Sequence, residues 1–286
     1  MPFESEPEGK FERRIFFSAR AWWQDISSAL RFLTRLPLPL PRAAAPVEPD
    51  FFDEAEEEEQ EASAPRPLGR AVRAFPLIGA LLGIAAGFAF AIVTGVGLPA
   101  LVAGVIAVAL LALMTGALHE DGLADMADGF GGGQTIEKKL AIMRDSRIGA
   151  YGVMALVMVL AAKVGAVADL HDIGVVMSGL ICAAAASRAA MPAMMRWLPV
   201  ARADGLGAEA GRPSSEHVWT GIVIAAILSV LLLTWSGLVA LLIAALGVFA
   251  VGLLARRQIG GHTGDVLGAT QQISELLFLL ALAAIR

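Results

Sequence analysis

The sequence contains little cysteine, little charge and almost no tyrosine. One of its 286 residues is cysteine and one is tyrosine, and charged residues make up 17%, against about 25% in a typical soluble domain. A single cysteine, Cys182, excludes an intramolecular disulfide, and no cysteine–histidine spacing suggests a zinc site. Walker, dinucleotide-binding and catalytic serine motifs are also absent. The sequence therefore predicts neither a disulfide scaffold nor a standard soluble nucleotide enzyme.

Apolar residues are abundant instead and occur in long blocks. They form 57% of the chain, and the mean hydropathy is +0.68. Blocks that approach the roughly 20 residues needed to cross a bilayer as a helix predict an all-α fold, a polytopic integral membrane helical bundle. The seven candidate spans are 75–95, 98–118, 150–168, 174–195, 218–235, 237–255 and 268–285.

The N-terminal part divides the chain into three regions. Residues 22–36 have helical periodicity with two tryptophans, which predicts an amphipathic helix in an N-terminal segment 1–42. That helix either lies in the membrane interface or packs on the protein's own membrane domain. Residues 43–67 are rich in alanine, proline and glutamate and predict a disordered acidic linker. The catalytic membrane domain is then 68–286.

Basic residues alternate between the loops that join the spans. They occur in the loops 119–149, 196–217 and 256–267 and are missing from the shorter loops between them. The positive-inside rule places the basic loops in the cytoplasm. The prediction is a bacterial inner (plasma) membrane protein whose active site faces the cytoplasm, where Mg²⁺ and nucleotide-derived substrates are available.

The stretch His119–Gly133, "HEDGLADMADGFGGG", concentrates acids at the end of the second span. If it continues that span as a helix, Asp121, Asp125 and Asp128 fall on one face and Glu120 points elsewhere. Three neighbouring carboxylates repel one another unless a cation lies between them. Oxygen ligands favour Mg²⁺ or Mn²⁺, so the spacing predicts a metal site. The alternative is a solvated acidic helix end, which would oppose the helix dipole.

The next residues suggest contacts with phosphate. Gly131 and Gly132 allow backbone to approach a ligand closely. Arg144 and Arg147 are candidates for contacts with phosphate oxygens, since arginine binds them with good geometry. Asp145, between the arginines, is a candidate for the metal site, for an arginine partner or for the catalytic proton acceptor. Anchoring of the third span is the alternative explanation for the basic residues.

One arginine lies within an apolar span. Arg188 belongs to "SRAAMP" (Ser187–Pro192), and a charge at mid-membrane costs roughly 2.5–3.5 kcal/mol on insertion scales. Such a residue usually has a partner and a role. We therefore expect Arg188 to have a partner and a functional role, for which a contact with phosphate is the candidate.

A second glycine-rich stretch precedes the last span. In "GGHTGDVLGATQQISE" (Gly260–Glu275), Gly261 permits close backbone approach, and His262 and Asp265 are further candidates for the catalytic proton acceptor. An acid in such a loop, on the same face of the membrane as the aspartate triplet, can close a metal–phosphate site. The bottom-up prediction is Mg²⁺-dependent phosphoryl or nucleotidyl transfer in a membrane frame.

These motifs together resemble one known family. "FLTRLPLP" (Phe32–Pro39), "FPLIGALLG" (Phe75–Gly83), the acidic stretch, "IMRDSRIGAYG" (Ile142–Gly152), "SRAAMP", "GLG" (Gly205–Gly207) and "GGHTGDVLGA" (Gly260–Ala269) occur in order. The chain is similar to the cobalamin synthase (adenosylcobinamide-GDP ribazoletransferase) family over nearly all of its length from about residue 28.

The resemblance implies an activity and its partners. Such an enzyme joins adenosylcobinamide-GDP to α-ribazole, or to α-ribazole 5′-phosphate, and releases GMP. The expected partners are these substrates and the lipid membrane, without nucleic acid; a homo-oligomer is among the open quaternary states. Two alternatives are another membrane phosphotransferase of the CDP-alcohol type and a transporter. Asp125 stands where the first would need arginine, and the chain lacks the repeat that is common in the second.

Overall fold

The computed structural model describes residues 18–36, 68–205 and 210–286, and the regular elements in these ranges are helices. The helices are α1 (Ala19–Leu33), α2 (Leu68–Ala71), α3 (Phe75–Gly95), α4 (Ala100–Thr115), α5 (Leu118–Gly132), α6 (Ile136–Ile142), α7 (Ala150–Asp169), α8 (Ile173–Trp197), α9 (Ser215–Ile259) and α10 (Gly264–Ile285). Residues Val72–Ala74 form a 3₁₀ turn that links α2 to α3.

The all-α membrane fold is confirmed, but the count of seven spans is not. Five helical segments in the described residues are long and apolar enough to cross a bilayer, or six if α4 and α5 form one broken span. Large apolar side chains face outward on these helices, as Leu113 and Leu231 do at 74% and 73% exposure. Such exposure would be unfavourable in water and suits contact with lipid.

The helix α9 is one of the reasons why the count differs. It is 45 residues long, but Thr234 has φ 57° and ψ −134°, which is not helical. Gly237 lies directly against the carbonyl oxygen of Ser229, whereas eight residues of straight helix would separate them by about 12 Å. The chain therefore reverses at Thr234, close to the turn that the sequence predicted near Ser236.

The second reason is a sharp bend before the acidic stretch. Helix α4 ends at Thr115, and Gly116 and Ala117 are both left-handed, with φ values of 65° and 56°. Helix α5 then leaves at 91° to α4. The expectation that the acidic stretch continues the second span was wrong. Glu120 and Asp121 lie in the first turn of a separate helix, where their negative charges interact favourably with the positive end of the helix dipole.

Two glycines bring α3 and α8 into close contact. A Cβ on Gly79 would overlap the backbone of Ala184, and one on Gly83 would lie 2.5 Å from the Cα of Ile181. Small residues allow such approach between membrane helices. The contact fixes the position of α8, whose C-terminal part borders the candidate site.

Helix α1 packs on the membrane domain. Arg73 Nε donates to Asp25 Oδ2 at 2.6 Å, with both side chains fully buried. The guanidinium of Arg73 also lies 4.2 Å from the ring centroid of Trp22. Helix α1 therefore packs on the protein's own membrane domain, which is one of the two alternatives that the sequence left open; its position in the membrane interface stays a prediction. The predicted acidic linker, 43–67, lies outside the described residues, as do residues 1–17.

Candidate active site

A cavity of about 280 Å³ lies where α1, α3, α5, α8 and α10 meet the segment that follows α8. Its polar lining includes His119 and Asp121 from α5, Asp265 from α10 and Arg202 from the segment after α8. The rest of the lining is mainly apolar. The cavity therefore joins residues of two predicted motifs, the acidic stretch and the second glycine-rich stretch.

Two glycines explain how these motifs meet. A Cβ on Gly122 would lie 2.9 Å from the carbonyl oxygen of Asp265 and 3.2 Å from the Cα of Gly268. A Cβ on Gly268 would lie 3.1 Å from the carbonyl oxygen of His119. Larger residues would hold the helices apart, so this pair lets α5 and α10 touch backbone to backbone. Asp121 and Asp265 are thereby placed on one cavity.

The acids of this region form a field of like charge. Asp121 is exposed and Asp125 is half-buried. Burial raises the pKa of Asp125, the charges of Asp121, Asp265 and Asp128 raise it further, and Arg202 acts in the opposite sense. Among residues 18–36, 68–205 and 210–286, no three histidine, cysteine, aspartate or glutamate side chains are grouped closely enough to hold a metal ion. The carboxylates are thus neighbours, but they are not gathered around one point.

Asp128 has a structural task that the sequence did not suggest. Its Oδ2 accepts from the backbone N–H of Gly149 at 2.6 Å, and its Oδ1 accepts from that of Gly152 at 2.9 Å. Only 8% of the residue is exposed. Asp128 therefore caps the N-terminus of α7. A carboxylate at this position accepts hydrogen bonds from free N–H groups, and its negative charge interacts favourably with the helix dipole. Its placement with Asp121 as an equivalent member of a triplet is corrected.

The arginines expected at phosphate are engaged elsewhere. Arg144 Nη2 donates to Asp204 Oδ2 at 2.6 Å, and both side chains are more than half exposed. Arg147 binds Asp145 through Nε at 3.0 Å and Nη2 at 2.8 Å, and its side chain is 86% exposed. Neither arginine lines the cavity. Asp145 therefore pairs with an arginine, which is one of the three roles that the sequence suggested for it.

Arg188 belongs to a buried network. Its Nη1 lies 3.2 Å from Glu275 Oε2 and donates to the carbonyl of Ala184 at 3.1 Å. Glu275 also accepts from Lys163 at 2.7 Å. Arg188 is 1% exposed and does not line the cavity. Arg188 therefore has a partner, as expected, in Glu275. It does not lie at the cavity, where a contact with phosphate was expected.

Arg202 is the arginine that the cavity contains, and sequence reasoning missed it. Its Nη2 lies 3.6 Å from Asp265 Oδ2. Its Nη1 is buried without a hydrogen-bond partner, which leaves a donor for a ligand. Its location in a basic loop, on the same predicted membrane face as the acidic stretch, was the signal available in the sequence.

The three candidate proton acceptors differ in position and in charge. Hydrogen bonds from Arg147 lower the pKa of Asp145 to about 2, and so weak a base is a poor proton acceptor. His262 is buried, which lowers its pKa and keeps it neutral, but it does not line the cavity. Asp265 does line it. The structure thus favours Asp265 on position.

The glycines expected at phosphate serve packing. A Cβ on Gly131 would lie 2.6 Å from the ring of Tyr151, and one on Gly132 would lie 3.4 Å from Ile142. Gly261 lies against the carbonyl of Pro199. None of the three lines the cavity. Gly122 and Gly268 are the glycines that shape it.

Contacts between loops hold this end of the bundle together. Arg144 joins the loop after α6 to Asp204, and Lys139 of α6 donates to Gln258 of α9. His262 pairs with the segment around Val200, since its N–H donates to the carbonyl of Pro199 at 2.9 Å. The three long loops that were predicted to share one membrane face are therefore in mutual contact.

The match to a known protein family covers the motifs that form the cavity. The family model described as cobalamin-5-phosphate synthase matches residues 25–283, which include the C-terminal part of α1, the whole of α5 and all but the last two residues of α10. The chain belongs to the cobalamin-5-phosphate synthase family. Its resemblance to cobalamin synthases, expected from the sequence, is thereby confirmed.

Several curated relatives share one name, adenosylcobinamide-GDP ribazoletransferase. The relative from Azorhizobium caulinodans is 42% identical over 263 residues, 90% of this chain and 94% of its own. The Rhizobium etli CIAT 652 relative is 40% identical over 91% of this chain and 96% of its own. The Bradyrhizobium diazoefficiens relative is 44% identical over 76% and 84%. No solved structure matches the chain.

Proposed function

We propose that the chain joins adenosylcobinamide-GDP to α-ribazole, or to its 5′-phosphate, and releases GMP. The product is adenosylcobalamin or its 5′-phosphate. Family membership supports the reaction, and the named relatives support its substrates. The structural observation that supports it most directly is the position of Asp121 and Asp265 on one cavity, across the contact of Gly122 with Gly268.

The proposed location is the bacterial inner membrane, with the cavity on the cytoplasmic side. The apolar helices support membrane insertion, and the basic loops that meet beside the cavity support the orientation. On that side the diphosphate substrate reaches the acids from water. The acceptor does not have to cross the membrane.

The proposed cofactor is Mg²⁺. The side chains that would hold it are Asp121 and Asp125, while Asp265 is kept for the proton and Asp128 keeps its place at the N-terminus of α7. Carboxylate oxygens suit this ion, and the repulsion between the acids of this region gives a cation an electrostatic reason to bind. When bound, Mg²⁺ would neutralise diphosphate charge and polarise the reacting phosphorus–oxygen bond.

The chemical step is substitution at phosphorus. A ribazole hydroxyl attacks the phosphorus nearest cobinamide, a new phosphorus–oxygen bond forms, and the bond to the bridging oxygen breaks to release GMP. Asp265 would accept the hydroxyl proton. Arg202, whose Nη1 has no hydrogen-bond partner, would donate to a phosphate oxygen and stabilise the charge that develops there.

The test is product analysis with purified protein in lipid nanodiscs. The protein receives adenosylcobinamide-GDP and α-ribazole with and without Mg²⁺, and mass spectrometry measures cobalamin and GMP. We expect both products only with Mg²⁺ and a loss of at least about 100-fold in Asp121→Asn, as when an oriented electrostatic group is removed. Glu137→Gln, which alters an acid outside the cavity, is the control.

Each contrary result has a distinct meaning. No GMP from the wild-type protein under any condition would overturn the reaction. Full activity after removal of divalent cations would overturn the proposal that Mg²⁺ is the cofactor. Movement of labelled corrinoid across the membrane of proteoliposomes without GMP release would favour a transporter instead.

A further inference from the structure

The cavity has walls of two kinds, and the proposed reaction uses only one of them. Asp121, Asp265 and Arg202 belong to α5, α10 and the segment after α8. The other lining elements, α1, α3 and the C-terminal part of α8, contribute Phe32, Phe75, Met191 and Met195, whose side chains form no strong hydrogen bonds. A ligand that fills the space must therefore have a polar part and an apolar part.

The apolar wall suits a flat aromatic group. Phe32 and Phe75 are stacked, with ring centroids 5.9 Å apart and 14° between planes. Met191 and Met195 are 4% and 3% exposed, and methionine sulfur makes favourable contacts with aromatic rings. Stacked rings and polarisable thioethers favour a planar apolar heterocycle. They offer few hydrogen bonds to a purine base, whose polar edge would lose its contacts with water.

The volume limits the choice of substrate. A cavity of about 280 Å³ is at the small end for ligand pockets, which run from about 300 to 1,000 Å³ for drug-sized molecules. A corrin macrocycle that carries a guanosine diphosphate is far larger than such a ligand. The acceptor nucleoside is comparable in size to a small drug, so it is the substrate that the cavity can enclose.

We infer that the cavity is the acceptor subsite, in which the dimethylbenzimidazole of α-ribazole packs against Phe32, Phe75, Met191 and Met195. The ribose then extends toward Asp121 and Asp265, where its hydroxyl meets the diphosphate. This inference rests on the proposed function and adds which substrate the cavity encloses. It also gives a role to the "FLTRLPLP" and "SRAAMP" stretches, which supply Phe32 and Met191.

The test measures binding of the acceptor alone. Radiolabelled α-ribazole, and the riboside of benzimidazole without its two methyl groups, are titrated onto the full chain in nanodiscs in the absence of adenosylcobinamide-GDP. A methyl group in an apolar pocket is worth about 10-fold in affinity. We expect α-ribazole to bind at least about 10-fold more tightly than its demethylated analogue to wild type.

Two neighbouring methionines provide a matched pair of variants. Met195 lines the cavity, whereas Met194 on the same helix is fully buried outside it. We expect Met195→Ala to weaken α-ribazole binding by about 10-fold and to reduce the preference for the methylated base. Met194→Ala should leave both the affinity and the preference unchanged. Phe32→Leu serves as a second cavity variant if Met195→Ala does not fold.

The outcomes separate this inference from the proposed function. If wild type releases GMP but Met195→Ala, Met194→Ala and Phe32→Leu all keep the wild-type preference for the methylated base, the acceptor subsite is overturned. The proposed reaction then remains intact. Absence of GMP release would overturn the reaction itself. Displacement of α-ribazole by excess adenosylcobinamide without its GDP would contradict the assignment, because the larger substrate would then occupy the same cavity.

Discussion

Lys163 Nζ lies 2.7 Å from Glu275 Oε1 in the interior of the helix bundle, with both side chains almost fully buried. The same lysine donates to Gln272 Oε1 at 2.7 Å, and Gln272 donates to Glu120 Oε1 at 2.9 Å. Glu120, the acid that helical spacing set apart from the aspartates, is therefore joined to a network inside the bundle. This network fixes the acidic helix α5 relative to α7 and α10.

The first prediction concerns this network. Glu275→Gln removes the carboxylate that faces both Lys163 and Arg188 and leaves two buried cations with less compensation. Breaking a buried pair costs about 3–5 kcal/mol, so we expect a clear loss of thermal stability in detergent. Glu137→Gln, at an exposed site on α6, should show no change. Equal melting temperatures for wild type and Glu275→Gln would contradict the prediction.

The second prediction separates a cap from a metal ligand. Asp128→Ala removes the acceptor for two backbone N–H groups and should lower stability by about 0.5–2 kcal/mol. Asp128→Asn keeps one of the two oxygen acceptors and turns an NH2 group toward the other backbone N–H, so we expect a loss of stability of similar size but an unchanged Mg²⁺ concentration at half-maximal activity. A large increase in that concentration for Asp128→Asn would return Asp128 to the metal site.

The third prediction uses the contact between α5 and α10. In Gly122→Ala, the new Cβ would meet the Asp265 carbonyl at 2.9 Å, so the helices must separate and Asp121 must move relative to Asp265. We expect at least a 10-fold loss of kcat, because small displacements of catalytic groups are costly. Gly165→Ala on α7, where nothing lies within 4 Å, should retain full activity. Similar kcat values for the two variants would refute the packing argument.

The fourth prediction distinguishes the arginines. Arg202→Gln should raise the KM for adenosylcobinamide-GDP or lower kcat by about 10-fold or more, because a charged hydrogen bond to phosphate is worth about 1.5–3 kcal/mol. Arg144→Gln changes an exposed arginine that is paired with Asp204 and should have a small effect. Steady-state kinetics on both variants is the measurement. A larger loss of kcat/KM in Arg144→Gln than in Arg202→Gln would support the sequence-based prediction that Arg144 contacts phosphate.

The fifth prediction concerns pH. Burial lowers the pKa of His262, so the folded protein binds a proton there less readily than the unfolded chain does, whose histidine titrates near 6.5. Stability from this residue is present above about pH 6.5 and decreases as the pH falls below it. Melting temperatures between pH 7.5 and 5.5 should fall more steeply for wild type than for His262→Asn. Parallel curves would show that His262 does not contribute.

The sequence predicted the helices well because span length and apolar content are local properties. It placed the reversal of α9 within two residues of Thr234 by the same reasoning. It could not predict the 91° bend at Gly116 and Ala117, because a non-glycine residue at positive φ leaves no clear mark in composition. Because of this bend, the acidic stretch begins a separate helix and does not end a membrane span.

The site was predicted in outline and corrected in detail. Asp121 and Asp265 were both chosen from their motifs, and the structure brings them to one cavity. Arg144, Arg147 and Arg188 were chosen because arginine suits phosphate, but each has a partner that depends on tertiary structure. Helical spacing placed Asp128 beside Asp121, yet it could not reveal the two N–H groups of α7 that occupy Asp128. Pairing across distant segments is the information that one sequence does not contain.

The link between Gln272 and Glu120 joins positions 152 residues apart. Contacts of such separation form late in folding, because the chain must first pay the entropy of closing a long loop. Helix α10, the last of the described helices, supplies Asp265 and Glu275. A nascent chain therefore has no assembled cavity until α10 has entered the bundle, and a product truncated before Gly264 would be inactive even if every earlier helix were correctly inserted.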